Sequence, residues 1–142
     1  MGVKRIDPER AQELLESSQS FTYVDVRTPN EFDEGHVPTA KNVPVMLRGK
    51  DGIGIHMNQT FVSDMESRFR KSDKIILGCR KGGRSMKAAD LLSEAGFTNL
   101  YDMRGGLVGE TDPFGNILFP GWQTRGLPVT RDARKDDHYQ GV

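Results

Sequence analysis

A chain of 142 residues has the length of one domain built on a single hydrophobic core. Its 20 basic and 20 acidic residues cancel, which excludes the overall positive field expected of a nucleic-acid or anionic-membrane binder. No apolar run approaches the ~20 residues needed to cross a bilayer.

The opening, Met1-Gly2-Val3-Lys4-Arg5-Ile6, lacks the apolar core of a secretory signal, and Ile6 stands where a myristoylation motif asks for Ser or Thr. Val3 to Ile6 reads as a short strand. Asp7-Pro8 then starts a helix, with Asp as N-cap, Pro at the first helical position and Leu14 and Leu15 on its apolar face. Phe21-Thr22-Tyr23-Val24-Asp25-Val26 reads as a buried strand with a charged tip. Thr28-Pro29-Asn30-Glu31-Phe32 forms a capped short helix that closes at Gly35, and residues 40–43 form a second short strand ending before Pro44.

Residues 45–58, with Gly49, Gly52 and Gly54, read as a long loop. Phe61, Val62, Met65 and Phe69 place a helix over about 59–69. Lys74-Ile75-Ile76-Leu77 is the next strand, and residues 85–95 the next helix, ended by Gly96. Residues 97–101 make another strand, residues 105–120 an irregular region, Trp122 a last packed turn, and Leu127-Pro128-Val129 a segment that closes the sheet. The tail, residues 131–142, is polar and expected to be mobile, leaving 1–130 as the domain. Strands and helices alternate, which implies an α/β fold whose mostly parallel central sheet has helices on both faces. In such sheets sites lie beyond the carboxyl ends of strands, where Asp25 and Cys79 both stand.

Cys79 is the only cysteine, which excludes an internal disulfide and fits a reducing, cytoplasmic compartment, or an organelle if a transit peptide has been removed. It sits in Gly78-Cys79-Arg80-Lys81-Gly82-Gly83-Arg84-Ser85, between a strand and a helix. Successive backbone N–H groups in such a loop, backed by a helix N-terminus, attract an anion and favour thiolate over thiol. Arg80, Lys81, Arg84 and Lys87 crowd the segment and no acid follows before Asp90. Gly82 and Gly83 allow torsions that a side chain resists. His36, His56 and His138 have no metal-ligand spacing.

These residues resemble the rhodanese family of sulfurtransferases. The matching blocks run in order: Asp25-Val26-Arg27; Glu31-Phe32 with Gly35-His36-Val37-Pro38; Ala40-Lys41-Asn42-Val43-Pro44; Cys79 in the pattern Cys-x-x-Gly-x-Arg-Ser; Ala88-Ala89, Leu92 and Gly96-Phe97; Gly105-Gly106, Trp122 and Gly126-Leu127-Pro128-Val129. The resemblance covers roughly residues 4–130. It implies a single rhodanese-like domain in which Cys79 carries a persulfide, Arg80, Lys81, Gly82, Gly83 and Arg84 cradle the anionic substrate, and Asp25 and Arg27 support the neighbouring loop. Glu31 and His36 are structural in the family pattern. Two features depart from it: Gly78 stands where a bulkier, often aromatic residue is usual, and the segment between Gly106 and Trp122 is longer.

The implied reaction moves a sulfane sulfur from thiosulfate or a persulfide donor to cyanide or a thiol, and calls for no metal or organic cofactor. The alternative is a sulfur carrier or interaction module with low turnover of its own, docking a protein acceptor near Phe114, Ile117, Leu118 and Phe119. The same apolar segment also reads as a flap over the protein's own core. A cysteine phosphatase or arsenate reductase fits less well, because phosphate chemistry generally uses Cys-x5-Arg, whereas Arg84 makes Cys-x4-Arg here.

Overall fold

The middle of the molecule is the run Ile75-Ile76-Leu77-Gly78, in which every residue is buried. A strand covered on both faces reads as a continuous apolar run, and full burial of each such side chain contributes ~1.5–3 kcal/mol. The computed structural model describes residues 2–50 and 52–140. Its elements in chain order are β1 (Val3–Ile6), α1 (Pro8–Glu16), β2 (Thr22–Asp25), α2 (Pro29–Glu34), β3 (Lys41–Asn42), β4 (Met46–Arg48), β5 (Ile55–Met57), α3 (Phe61–Arg68), β6 (Ile75–Gly78), α4 (Gly83–Glu94), β7 (Leu100–Met103), β8 (Gly109–Thr111) and β9 (Ile117–Pro120), with a 3-10 turn at Lys135–Asp137.

Five strands form one sheet in the order β1-β7-β6-β2-β3, and every pairing in it is parallel. The alternation along β6 sorts the core. Ile75 and Leu77 face Phe61 and Met65 of α3 and Ala88, Ala89 and Leu92 of α4. Ile76 faces the opposite layer, with Ala11 and Leu14 of α1 and Phe32 of α2. Helices α1 and α2 therefore lie on one face, α3 and α4 on the other. β2 and β6 are neighbours whose following helices leave to opposite faces, and that divergence opens a crevice at their carboxyl ends.

Local chemistry accounts for the helix starts. Asp7 accepts from the Arg10 N–H at 2.8 Å. Thr28 and Glu31 complete a capping box on α2. Asp25 and Arg27, expected to support a loop, form a buried bidentate pair of 2.7–3.1 Å, and Arg27 also donates to the Gly35 carbonyl at 2.6 Å. His36 is buried, its ring nitrogens 2.7 and 2.9 Å from the carbonyl oxygens of Phe32 and Asp132.

Several expectations are corrected. Residues 45–58 are not a plain loop: β4 and β5 pair as an antiparallel hairpin, turned where the Gly49 N–H donates to the Gly54 carbonyl at 3.1 Å. The strand expected at 97–101 begins at Leu100, because the Phe97 N–H is taken by Leu92 at the end of α4. The region 105–120 carries the hairpin β8–β9. Residues 127–129 do not close the sheet; only Thr130 bridges, to His36 outside it. The described part of the tail expected to be mobile docks, with Asp137 buried and ion-paired to Lys41 at 2.9 Å and the Tyr139 hydroxyl donating to Asp64 at 2.9 Å, while positions 141 and 142 lie outside the described residues.

Nor is the segment 114–119 a flap over the core. Phe114 at the hairpin tip is 90% exposed and Leu118 68%. Only Phe119 packs inward, its ring held between the guanidiniums of Arg104 and Arg125 at 4.0 and 4.7 Å. Replacing Phe114 and Leu118 together by Ser is expected to leave the urea midpoint unchanged, whereas Phe119→Ala lowers stability by ~1–3 kcal/mol; equal effects in the unfolding curves would contradict this division of the hairpin.

Candidate active site

Cys79 follows directly on β6 and is 2% exposed. Its sulfur accepts the backbone N–H of Gly82 at 3.0 Å and that of Ser85 at 3.4 Å. Gly82 caps α4 at φ +119°, a conformation that L side chains rarely adopt, so the turn that aims its N–H at the sulfur depends on glycine there. The N–H groups of Gly83 and Arg84 lie in the first turn of α4, where no intrahelical carbonyl can reach them. The helix N-terminus adds partial positive charge to the same point.

What turns the loop's donors inward is the chain after β7. Leu107 donates to the Cys79 carbonyl at 2.8 Å and Val108 to the Arg80 carbonyl at 2.9 Å, drawing both oxygens to the far side. This approach requires Gly106, at φ +61°, since a Cβ there would lie 2.4 Å from the Cys79 oxygen. The departure at Gly78 also has a steric reason. A Cβ on Gly78 would fall 1.7 Å from the hydroxyl of Tyr23, which reaches over from β2. Aromatic bulk beside the cysteine is thus supplied by a neighbouring strand. Burial holds the Tyr23 phenol well above its ordinary range, and the Asp25 charge adds to this, so it stays neutral.

The predicted cradle residues divide. Gly82 and Gly83 are in place. Arg80 is exposed at the rim of a cleft of about 380 Å³ with Thr28, Glu31, Arg48, Ile55 and Arg84 in its lining. Lys81 points away, donating to the Thr111 hydroxyl of β8 at 3.3 Å. Arg84 lines the cleft but is committed to Glu31 through two hydrogen bonds of 2.7 and 3.0 Å, which cross the crevice from α4 to α2. Asp25 and Arg27 lie on the adjacent strand end, bound to each other and not to the cysteine.

Burial alone would push the Glu31 carboxyl up, but the Arg84 hydrogen bonds, the Thr28 N–H and the Arg84 charge outweigh it and bring it down to about 2. Glu31, read from sequence as structural, therefore sets the position of a cleft guanidinium. Arg48 was not foreseen; it arrives on the β4–β5 hairpin, in a segment whose sequence signals only a loop. Ser85 and Asp102 were also missed. The Ser85 hydroxyl stands 3.6 Å from the Cys79 sulfur and 2.6 Å from Asp102 Oδ1, and both residues are buried. The one trace in the sequence is an acid near the end of an otherwise apolar strand. Among the described residues no cluster of His, Cys, Asp or Glu is placed to hold a metal ion, and no helix is long and apolar enough to cross a membrane.

Comparison with known proteins agrees with this architecture. The model of the rhodanese-like domain matches residues 7–110. Thiosulfate sulfurtransferase 16 of Arabidopsis thaliana is 43% identical over 107 residues, which cover 75% of this chain and 78% of the relative. Rhodanese-like domain-containing protein 15 of the same plant is 44% identical over 102 residues, 72% of this chain but only 54% of the relative. Among solved structures, Rv0390 from M. tuberculosis superposes with a TM-score of 0.75 at 28% identity, covering 93% of this chain and 100% of that one. A cysteine loop beyond the central strand of a parallel sheet, matched along most of the domain by these proteins, places this chain in the rhodanese-like family.

Proposed function

We propose that the chain is a rhodanese-type sulfurtransferase that carries sulfane sulfur on Cys79. The observation that supports it most is the pair of backbone N–H groups, from Gly82 and Ser85, already directed at the Cys79 sulfur at the N-terminus of α4. Relatives that bear the name thiosulfate sulfurtransferase point the same way. In the first half-reaction the Cys79 thiolate attacks the outer sulfur of thiosulfate. The S–S bond of the donor breaks, its electron pair leaves with sulfite, and a Cys79 persulfide remains. In the second, cyanide or a thiolate attacks the terminal sulfur and Cys79 departs as thiolate. Charge is negative throughout, so fixed N–H donors serve every step. Removing one such donor from an anion hole typically costs ~2.7–4 kcal/mol of barrier. Arg80 and Arg48 attract the dianion to the cleft, while Arg84, tethered by Glu31, gives it a fixed contact.

A second reading, transfer to a protein acceptor, draws support from the exposed Phe114, Ile117 and Leu118 on a hairpin whose Thr111 touches Lys81 of the cysteine loop. Slow turnover with thiosulfate and cyanide, accelerated by a second protein, would favour it. The chain acts in the cytoplasm or an organelle on this proposal; fractionation with an antibody decides between them.

Incubation with thiosulfate at neutral pH is expected to add the mass of one sulfur atom at Cys79, removed by cyanide or dithiothreitol and absent in Cys79→Ser. An intact-mass spectrum without the adduct would sink the sulfurtransferase assignment. Arg84→Ala should raise KM for thiosulfate roughly tenfold, the worth of one charge-assisted hydrogen bond, and the exposed Glu31 charge should add to the loss. Unchanged kinetics would mean that the backbone donors alone bind the anion. The Glu31–Arg84 link also sets a pH dependence. The Glu31 value is lowered on folding from 4.5 to about 2, so its stabilisation is complete above pH 4.5 and disappears as pH falls through 2. The stability difference between the parent and Glu31→Gln, measured by urea unfolding, should vanish across that window and stay constant above it.

A further inference from the structure

Beneath the Cys79 sulfur the hydrogen count does not close unless one more proton is present. The Ser85 hydroxyl has a single hydrogen. Around its oxygen stand Asp102 Oδ1 at 2.6 Å, the Gly82 carbonyl at 3.1 Å and the Cys79 sulfur at 3.6 Å. With Cys79 as thiolate and Asp102 as carboxylate, all three are acceptors, and two are left facing the Ser85 lone pairs. Asp102 is 1% exposed, and its second oxygen, Oδ2, is buried with no hydrogen-bond partner among the described residues. Its ion pair with Arg5, Nε to Oδ2 at 3.4 Å, comes from a side chain that is 45% exposed, so an ionised Asp102 is only partly compensated.

We propose that Asp102 is a positioning residue that holds a proton while Cys79 is a thiolate or persulfide, donating it to Ser85 so that the Ser85 hydrogen is free to turn to the sulfur. This rests on the sulfurtransferase reading of Cys79. The proton is the one that the thiol gives up. The S–H hydrogen passes to Ser85 Oγ as the hydrogen of Ser85 passes to Asp102 Oδ1, leaving Cys79 anionic and Asp102 neutral. The pair keeps one negative charge throughout, and a dianionic donor meets one anion at the base of the loop instead of two. Sulfur loading and unloading then proceed between anionic forms of Cys79 with that proton in place.

The charges that face Asp102 come from several elements. Arg5 of β1 stands 3.4 Å from Oδ2 and favours the carboxylate, but its side chain is 45% exposed and is shared with Glu110 of β8 at 3.5 Å. Asp90 of α4 and the neutral Tyr23 of β2 are also within electrostatic reach of Asp102, Asp90 favouring the acid. Burial is the largest influence, and against the Ser85 hydrogen bond and Arg5 it leaves Asp102 above its ordinary value.

The test is infrared spectroscopy of the whole protein, which needs no sulfur donor. A carbonyl stretch of a protonated carboxylic acid is expected at neutral pH in the parent and absent in Asp102→Asn. It should titrate away at lower pH in Cys79→Ser, where the neighbouring negative charge is gone. No such band, or a band indifferent to Cys79, overturns the inference while leaving the mass adduct on Cys79 untouched. A band without any adduct overturns the sulfurtransferase reading alone. In single-turnover loading, Asp102→Leu should be roughly tenfold slow, and Asp102→Asn, whose amide also donates to Ser85, should recover much of that loss. Equal rates in the two variants would show that only the volume of the side chain matters.

Discussion

The site depends on where two carbonyl oxygens point. A loop between a strand and a helix presents alternating N–H and C=O groups, and left alone it offers an anion as much repulsion as attraction. Here the N–H groups of Leu107 and Val108 take the carbonyls of Cys79 and Arg80 from behind. The loop is then free to turn its donors toward the sulfur. This clasp explains several otherwise separate features: the positive φ of Gly106, the return of the chain at Gly121, whose N–H donates to the Val108 carbonyl, and the Trp122 N–H on the Gly106 carbonyl. The β8–β9 segment is therefore a brace for the cysteine loop as well as an exposed hairpin.

The crevice beside the cysteine loop has an equally simple origin. β2 and β6 lie side by side, but the chain leaves β2 toward one face and β6 toward the other. Their loops diverge, and the gap is spanned by Arg84 and Glu31, one from each side. A guanidinium held at both nitrogens loses little further entropy on meeting an anion, which favours a fixed planar contact over a flexible point charge. The cost is partial neutralisation of its field, and Arg80 and Arg48 then carry more of the long-range attraction.

Much of this was legible in the sequence because it is local. The capping residues Asp7 and Thr28, the apolar run of β6 and the glycine-rich turn after Cys79 are decided within a few residues of themselves, and the parallel α/β class follows from their order. What escaped depends on contacts far apart in the chain. Lys81 and Arg84 look alike as cations beside a thiol, yet one extends to Thr111 and the other is claimed by Glu31, 53 positions away. Gly78 looks like a missing aromatic until Tyr23 is seen to occupy the space. The strands of the hairpins β4–β5 and β8–β9 are only three or four residues long, too short to produce a clear alternation, so they pass for loops. Arg48 passed unnoticed with the first of them.

Two carboxylates bonded to the cysteine loop, Glu31 through Arg84 and Asp102 through Ser85, are driven in opposite directions by their surroundings. Glu31, at the open side, is bound by a guanidinium and a backbone N–H and stays ionised far into acid. Asp102, at the closed side, has a hydroxyl and a half-exposed Arg5 shared with Glu110 to set against burial, and is raised. The contrast suits an enzyme that must draw anions through one wall and tolerate an anionic sulfur against the other. Charge at the mouth is kept, because it organises Arg84. Charge at the base would oppose the thiolate directly, and the proposed proton on Asp102 puts a hydrogen-bond donor there in place of a second anion. On the proposed chemistry the loop then takes up sulfur as an anion without accumulating negative charge that the two N–H groups from Gly82 and Ser85 would have to balance alone.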